Sequence, residues 1–219
     1  MSLWVKICGN TSLADAQLAA DAGADAVGFV FAPSPRQVTP EQVAAITPHL
    51  PASIENIGVF VDADFATIAA AVELAGLTGV QVHPGGPDAL TAQLRERFGP
   101  KLRILRVIHF GEDAARQLSS ASSDASIDGV LVDSRTATAV GGTGVAFDWQ
   151  AARATIFSRG NSLRLVAAGG LNPENVVEAI ATLHPWGVDV VSGVELSPGY
   201  KDADKVREFI ANARAFTTQ

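Results

Sequence analysis

Two side chains that can move protons stand at the ends of predicted strands in different halves of the chain. Cys8, the only cysteine, closes the run Trp4–Cys8, and Asp133 closes the apolar run Gly129–Asp133. At the strand ends of an α/β barrel, a thiol and a carboxyl group face one cavity and can serve as an acid–base pair. A lone cysteine is more often a small buried apolar residue, and an aspartate there can instead cap its own loop. The pair is therefore a hypothesis that depends on the fold.

Three more side chains have positions suited to this cavity. Strand alternation puts Lys6 on the same face as Cys8, where its charge favours the thiolate. Arg36 follows the second predicted strand in a segment stiffened by two prolines, and its planar guanidinium suits a carboxylate, although a solvated arginine is the alternative. His83 ends the fourth predicted strand, and His109 directly follows the fifth; either can line the cavity or simply pack.

The loops after the seventh and eighth predicted strands can bind an anion. One contains Gly169 and Gly170, and the other contains Ser192 and Gly193. Their backbone N–H groups can approach a phosphate closely, and Asn172 is placed to cap the helix that follows. These are the loops in which (β/α)8 barrels commonly bind phosphate. Turns that need glycine only for their geometry are the alternative.

The loop after the sixth predicted strand is rich in glycine. It contains Gly142 and Gly144, which we expect to contact the substrate. The loop is long for a minimal turn, so we expect a lid that folds over a bound substrate. A plain surface loop is the alternative.

The sequence lacks the usual residue patterns of metal sites and of hydrolases. The four histidines show no close ligand spacing, and no cysteine pair is present. Ser134 follows Asp133, but no Gly-x-Ser-x-Gly segment surrounds it. We therefore expect neither a metal nor a cofactor.

The elements that would position these residues alternate along the whole chain. Runs rich in Val and Ile alternate with Ala- and Leu-rich segments of helical period, which is typical of βα units. Predicted strands are Trp4–Cys8, Ala26–Phe31, Ile54–Val61, Gly79–His83, Arg103–Ile108, Gly129–Asp133, Leu163–Ala167 and Val188–Ser192. Predicted helices are Leu13–Ala22, Pro40–Thr47, Phe65–Leu74, Leu90–Phe98, Asp113–Ala121 (the weakest), Phe147–Phe157, Pro173–Thr182 and Ala203–Ala215.

Eight units without a linker predict an α/β fold, a single (β/α)8 TIM barrel over residues 1–219. A doubly wound sheet would use five or six strands and a glycine-rich turn after the first. The segment Gly9-Asn10-Thr11 does not match that turn.

Composition limits the environment and the partners. The net charge of −7 argues against nucleic acid and anionic membranes, so we expect no partner of either kind. One cysteine allows no intrachain disulfide, no secretory signal is recognisable, and no apolar run approaches about 18 residues. We expect a cytoplasmic enzyme, either a monomer or a homodimer.

With these residues placed, the chain resembles phosphoribosylanthranilate isomerase of tryptophan biosynthesis from Val5 to about Ala213. Seven ordered segments carry the resemblance: Val5–Gly9, Gly23–Phe31, Gly58–Val61, Asp133–Thr136, Gly141–Trp149, Ala168–Val176 and Val188–Glu195.

The resemblance implies an Amadori rearrangement of N-(5-phosphoribosyl)anthranilate without a cofactor. It implies that Cys8 is the general base, Asp133 the general acid and Arg36 the contact to the anthranilate carboxylate. It also implies that the seventh and eighth loops bind the phosphate and that Asp189 lies near the substrate. Together with Lys6 and His83, these residues form the expected binding set.

The sequence departs from the family pattern at Pro84, which stands where a glycine usually follows the histidine of the fourth strand. Proline has no backbone N–H to donate there. Two rivals remain. The related isomerase of histidine biosynthesis carries aspartate where this chain has Cys8, and a non-catalytic phosphosugar-binding barrel would need neither Cys8 nor Asp133.

Overall fold

Eight parallel strands form a closed barrel in which each strand pairs with the next and the eighth pairs with the first. The computed structural model describes residues 3–84, 89–134, 148–157 and 163–216. The predicted (β/α)8 architecture is confirmed.

The barrel strands are β1 Trp4–Ile7, β2 Ala26–Val30, β3 Glu55–Phe60, β4 Gly79–Val82, β5 Arg103–His109, β6 Gly129–Asp133, β7 Arg164–Ala167 and β8 Gly187–Val190. The helices are α1 Leu13–Asp21, α2 Pro40–Ala44, α3 Phe65–Ala75, α4 Leu90–Phe98, α5 Ala114–Ser122, α6 Trp149–Ala152, α7 Val176–Leu183 and α8 Ala203–Ala215. Helix α6 continues as a π-helical turn over Arg153–Phe157, and its predicted start at Phe147 lies outside the described residues.

Two predicted boundaries near the site are wrong by two or more residues. Strand β8 ends at Val190 rather than at Ser192, because the chain then turns into a short 3₁₀ helix over Ser192–Val194. Regular helix α7 begins at Val176 rather than at Pro173. Both corrections lengthen the loops at the carboxyl ends of the last two strands.

A small antiparallel hairpin follows β8 in the chain and precedes α8. The sequence pattern did not predict it. Its strands are β9 Glu195–Ser197 and β10 Tyr200–Lys201, with Glu195 and Lys201 opposite each other. The hairpin is not part of the barrel sheet.

Apolar side chains pack on both faces of the sheet. One buried cluster lies between the strands and the helices, and it includes Val5, Ile7 and Phe209. A second cluster contains Trp4, Leu105 and Leu131, whose side chains alternate with those of the outer face and so fill the barrel interior. Among the described residues, no helix is long and apolar enough to cross a membrane.

Candidate active site

A cavity of about 590 Å³ opens at the carboxyl ends of the strands. Its wall includes eight of the residues predicted from the sequence: Cys8, Arg36, His83, Asp133, Gly169, Gly170, Asp189 and Ser192. Lys6, Asn172 and Gly193 are not among the lining residues, and Gly142 and Gly144 lie outside the described part of the chain. Pro84, the departure from the family pattern, also lines the cavity.

Cys8 lies directly after β1, and local geometry fixes its position. Its backbone N–H donates to the carbonyl of Val190 at 2.9 Å, which extends the pairing of β1 with β8 by one residue. Its side chain is buried beside Gly28 of β2. A Cβ atom on Gly28 would lie 2.4 Å from the Cys8 sulfur, so the thiol occupies space that only glycine leaves open.

Lys6 lies in β1, two residues before Cys8, and is fully buried. It is in register with Asp189 of β8, and its Nζ donates to Asp189 Oδ1 at 2.8 Å and to Gln81 Oε1 at 2.9 Å. Burial alone would lower the pKa of Lys6, but the Asp189 carboxylate and Cys8 outweigh it and raise that pKa. Lys6 therefore remains a cation inside the barrel.

The charges around Cys8 act in opposite directions. Burial raises the pKa of the Cys8 thiol, whereas Lys6 lowers it; Asp189 raises it further, and Lys201 lowers it. The net shift is upward. The expected influence of Lys6 on the thiolate has the right sign, but burial outweighs it, because a fully enclosed thiol loses the hydration of its charged form.

Asp133 ends β6, which lies three strands from β1 around the closed barrel. It is in register with His109 of β5, whose ring lies 6.0 Å from that of His83. All three side chains line the cavity on the wall formed by β4 to β6. Within the described residues, no group of three or more His, Cys, Asp or Glu side chains is arranged to hold a metal.

Arg36 lines the cavity, and one edge of its guanidinium is held by a carboxylate of the protein. Its Nε donates to Glu195 Oε1 at 2.9 Å, and its Nη2 donates to Glu195 Oε2 at 2.7 Å. The prediction of a solvated or substrate-bound arginine did not include this partner. Nη1 makes no hydrogen bond with the described residues.

The loop after β7 has a conformation that requires glycine. Gly169 and Gly170 have φ values of 83° and 68°. A Cβ atom on Gly169 would also lie 2.2 Å from the hydroxyl oxygen of Ser134. The loop therefore packs its backbone directly against the end of β6 and exposes peptide groups to the cavity.

Asn172 caps the turn that precedes α7 and not the helix itself, whose N-cap residue is Asn175. Its Oδ1 accepts from the backbone N–H of Asn175 at 2.9 Å, and its own backbone N–H donates to Asn175 Oδ1 at 2.8 Å. This reciprocal pair is equivalent to a capping box. Asn175 also donates to the carbonyl of Gly170 at 2.9 Å and so connects the cap to the glycine pair.

The loop after β8 packs against the loop after β7. A Cβ atom on Gly193 would lie 2.0 Å from the carbonyl oxygen of Leu171, so this contact needs glycine. Ser192, at the start of the same 3₁₀ turn, reaches the cavity wall. The two loops form one edge of the cavity, whereas Arg36 forms another.

Sequence reasoning missed several residues that shape the site. Gly28 belongs to a motif quoted above, but the room it leaves for the thiol depends on strand register. Gln81, Glu195 and Lys201 hold charged groups of the site. In the sequence, Gln81 is a polar residue in an apolar strand, Glu195 ends the segment Val188–Glu195, and Lys201 lies in a polar stretch. None of these signals gave a partner.

Comparison with known proteins agrees with this geometry. The family model for N-(5'-phosphoribosyl)anthranilate isomerase matches residues 5–212. The N-(5'-phosphoribosyl)anthranilate isomerase of Pelobacter propionicus is 42% identical over 211 residues, which cover 96% of this chain and 95% of that protein.

Two solved structures are similar over almost their whole length. One is a phosphoribosylanthranilate isomerase in complex with reduced 1-(o-carboxyphenylamino)-1-deoxyribulose 5-phosphate, with a TM-score of 0.79 and 35% identity over 97% of this chain and 99% of that one. The other is a monomeric form of the dimeric enzyme from Thermotoga maritima, with a TM-score of 0.78 and 36% identity at the same coverage. On these matches, the chain belongs to the N-(5'-phosphoribosyl)anthranilate isomerase family.

Proposed function

We propose that this protein converts N-(5'-phosphoribosyl)anthranilate into 1-(o-carboxyphenylamino)-1-deoxyribulose 5-phosphate in tryptophan biosynthesis. The observation that carries the proposal is that Cys8 and Asp133 line one cavity in a chain of this family. A relative with the same fold binds the reduced form of that product. The substrate is thus a phosphorylated sugar joined to anthranilate.

The rearrangement needs only proton transfers. Asp133 protonates the furanose ring oxygen, and the C1′–O bond breaks as the nitrogen lone pair forms an iminium ion. Cys8 thiolate then removes the proton from C2′, and the electrons of that C–H bond neutralise the iminium to give an enolamine. Tautomerisation of the enolamine gives the ketone, so no electrons enter or leave and no cofactor takes part.

The two anionic ends of the substrate orient the sugar between these groups. Its phosphate lies at the edge formed by Gly169, Gly170 and Ser192, where peptide N–H groups can face an anion. Its carboxylate lies at the edge of Arg36. The sugar carbons then lie over the cavity floor, with Cys8 on one side and Asp133 on the other.

Burial and charge together set the state of the base. The pKa of Cys8 is raised, so the resting group is a thiol at neutral pH, but Lys6 and Lys201 keep positive charge near it. The thiol loses its proton to solvent before the reaction, and the thiolate forms beside the charges of Lys6 and Lys201, which are already in place.

A steady-state assay of the purified protein with N-(5'-phosphoribosyl)anthranilate tests the proposal. We expect turnover without added metal or cofactor. Binding of the product analogue without any turnover would instead indicate a non-catalytic phosphosugar-binding barrel. Turnover of only the aminoaldose substrate of histidine biosynthesis would assign the protein to that related isomerase.

A further inference from the structure

Three charged side chains form a buried cluster next to Cys8. Glu195 accepts two hydrogen bonds from Arg36, as described above, and its Oε1 also lies 3.2 Å from Lys201 Nζ. Lys201 Nζ donates to the backbone carbonyl of Cys8 at 2.6 Å. We call Arg36, Glu195 and Lys201 the charge bridge, because they connect the Arg36 loop to the end of β1.

The charge bridge depends on the hairpin β9–β10. Glu195 and Lys201 lie opposite each other in that hairpin, and both side chains are almost completely buried. The barrel sheet closes through β1 and β8 without the hairpin. The hairpin therefore places two charged side chains near the site and does not complete the barrel sheet.

Burying these three charged side chains is unfavourable, and a contribution to stability does not explain why they are there. Removing ions from water is unfavourable, and a buried ion pair often contributes no more to stability than apolar residues of the same size would. Orientation explains the arrangement better, since each of the three side chains is held by a partner on a different segment. The Arg36 stem also lies over Gly9, where a Cβ atom would come within 2.8 Å of Arg36 Cδ.

We propose that Glu195 and Lys201 are positioning residues: Glu195 fixes Arg36 to receive the substrate carboxylate, and Lys201 fixes the main chain of Cys8 and places a positive charge beside it. The proposal rests on the isomerase function proposed above. It assigns recognition of the carboxylate and placement of the base to one connected set of side chains.

The charges of the bridge are suited to an anionic ligand. Hydrogen bonding to Glu195 raises the pKa of Arg36, and contact with Arg36 and Lys201 lowers the pKa of Glu195 despite its burial, so both groups are ionised at neutral pH. Burial lowers the pKa of Lys201. With Lys201 protonated, two cations face one carboxylate, and the carboxylate of the substrate would neutralise the excess positive charge.

Glu195→Gln tests the first half of the proposal through ligand discrimination. Reduced 1-(o-carboxyphenylamino)-1-deoxyribulose 5-phosphate and the same compound without its carboxyl group are titrated calorimetrically into wild type and variant. We expect the variant to bind the carboxylated ligand about tenfold or more weakly, and the other ligand within about twofold of wild type. Equal losses for both ligands, or no loss, would overturn the role of Glu195.

Glu55→Gln is the matched control. Glu55 also accepts two hydrogen bonds from an arginine, Arg103, with distances of 2.6 and 2.5 Å, but at the opposite end of the barrel strands. The same substitution there should leave the affinities for both ligands unchanged. Wild type that binds neither ligand and lacks turnover would contradict the proposed function rather than the charge bridge.

Lys201→Met tests the second half in the free enzyme and also serves if Glu195→Gln does not fold. The rate of Cys8 alkylation by iodoacetamide is measured as a function of pH. The charged groups near Cys8 are Lys6, Arg36, Asp189, Glu195 and Lys201, and Asp133, His83 and His109 line the facing wall. Removing the Lys201 cation should move the alkylation midpoint to higher pH. A midpoint equal to that of wild type would overturn the role of Lys201.

Discussion

At the scale of single residues, burial keeps the thiol of Cys8 uncharged at neutral pH. Burial raises the pKa of Cys8, and Asp189 adds to that effect. Two lysines from different segments oppose it, one inside the barrel and one from the hairpin. In the proposed mechanism, only a small fraction of the molecules carries Cys8 as thiolate at neutral pH, but a thiolate of higher pKa is the stronger base.

The roles of Cys8 and Asp133 can be tested separately. Cys8→Ser and Asp133→Asn should each lower kcat by about 10² to 10⁴-fold, the usual contribution of a general base or acid. Both substitutions nearly conserve volume, so circular dichroism spectra and thermal midpoints should remain close to those of wild type. Near-normal turnover in either variant would reject the role of that residue.

Gly28 should be required for activity because of the space it leaves. Gly28→Ala puts a Cβ atom 2.4 Å from the Cys8 sulfur, so the thiol must move and kcat should fall at least about tenfold. Gly58→Ala is the control, since its Cβ atom would also be crowded, at 2.7 Å from Leu77 and Phe60, but Cys8 is not among its nearest neighbours. We expect it to lower the thermal midpoint and to retain kcat. Equal activity losses in both variants would reject the assigned role of Gly28.

At the scale of elements, the loops after β7 and β8 form a connected unit. Gly170 is hydrogen-bonded to Asn175, Asn175 pairs with Asn172, and Gly193 packs on the carbonyl of Leu171. A substitution that displaces one loop should therefore also displace the other. The contact of Gly193 with the Leu171 carbonyl is possible because glycine has no side chain.

Gly169→Ala tests this unit against a control of the same backbone type. Gly169 and Gly23 both have positive φ, 83° and 95°, but only Gly169 is crowded, by Ser134. Both alanine variants carry the strain of a left-handed conformation, of about 1 kcal/mol. Only Gly169→Ala should also raise KM, by about tenfold, because it displaces peptide groups that face the phosphate. Kinetics of the two variants measure the difference; a similar KM in both would contradict the loop assignment.

The elements themselves were predictable where periodicity was strong. The helix Ala203–Ala215 was predicted with the observed bounds, and all eight strands were found because their Val- and Ile-rich runs alternate with helical segments. The hairpin was missed because strands of three and two residues leave no detectable period. Boundaries after β7 and β8 were wrong because capping and 3₁₀ geometry depend on contacts between loops.

Site residues were predictable to the extent that they stand at strand ends. Cys8 and Asp133 were placed on one cavity by strand position alone. The partner of Arg36 was not, because Glu195 lies 159 residues away and its approach depends on the hairpin. The pair of Lys6 and Asp189, separated by 183 residues, depends likewise on the register in which β8 closes on β1.

At the scale of the whole molecule, folding buries ionisable groups in the barrel and beneath the hairpin, so stability depends on pH. The lowered pKa of Glu195 means that the folded state holds its proton less tightly than the unfolded chain. Its contribution is present above about pH 4.5 and is lost as the pH falls through the lower, folded pKa. The raised pKa of Cys8 acts at the other end of the pH range.

Cys8 should make the protein less stable in alkaline solution. Its pKa is raised above the usual value of 9.0, so above that pH the unfolded chain loses the thiol proton while the folded protein keeps it. The free energy of unfolding should then fall with rising pH, by up to about 1.4 kcal/mol per pH unit, until the folded pKa is reached. Below pH 9.0 this group contributes no slope.

Cys8→Ala isolates this effect, because alanine has no proton to lose and the other titrating groups remain. Urea unfolding of wild type and variant is measured at a series of pH values from neutral to alkaline. The two free-energy curves should run parallel near neutral pH, with the variant lower by the cost of the lost sulfur contacts. Above pH 9.0 the wild-type curve should descend more steeply and approach that of the variant. Curves that stay parallel throughout would mean that the folded protein does not hold the thiol proton more tightly, and burial would not control the ionisation of Cys8.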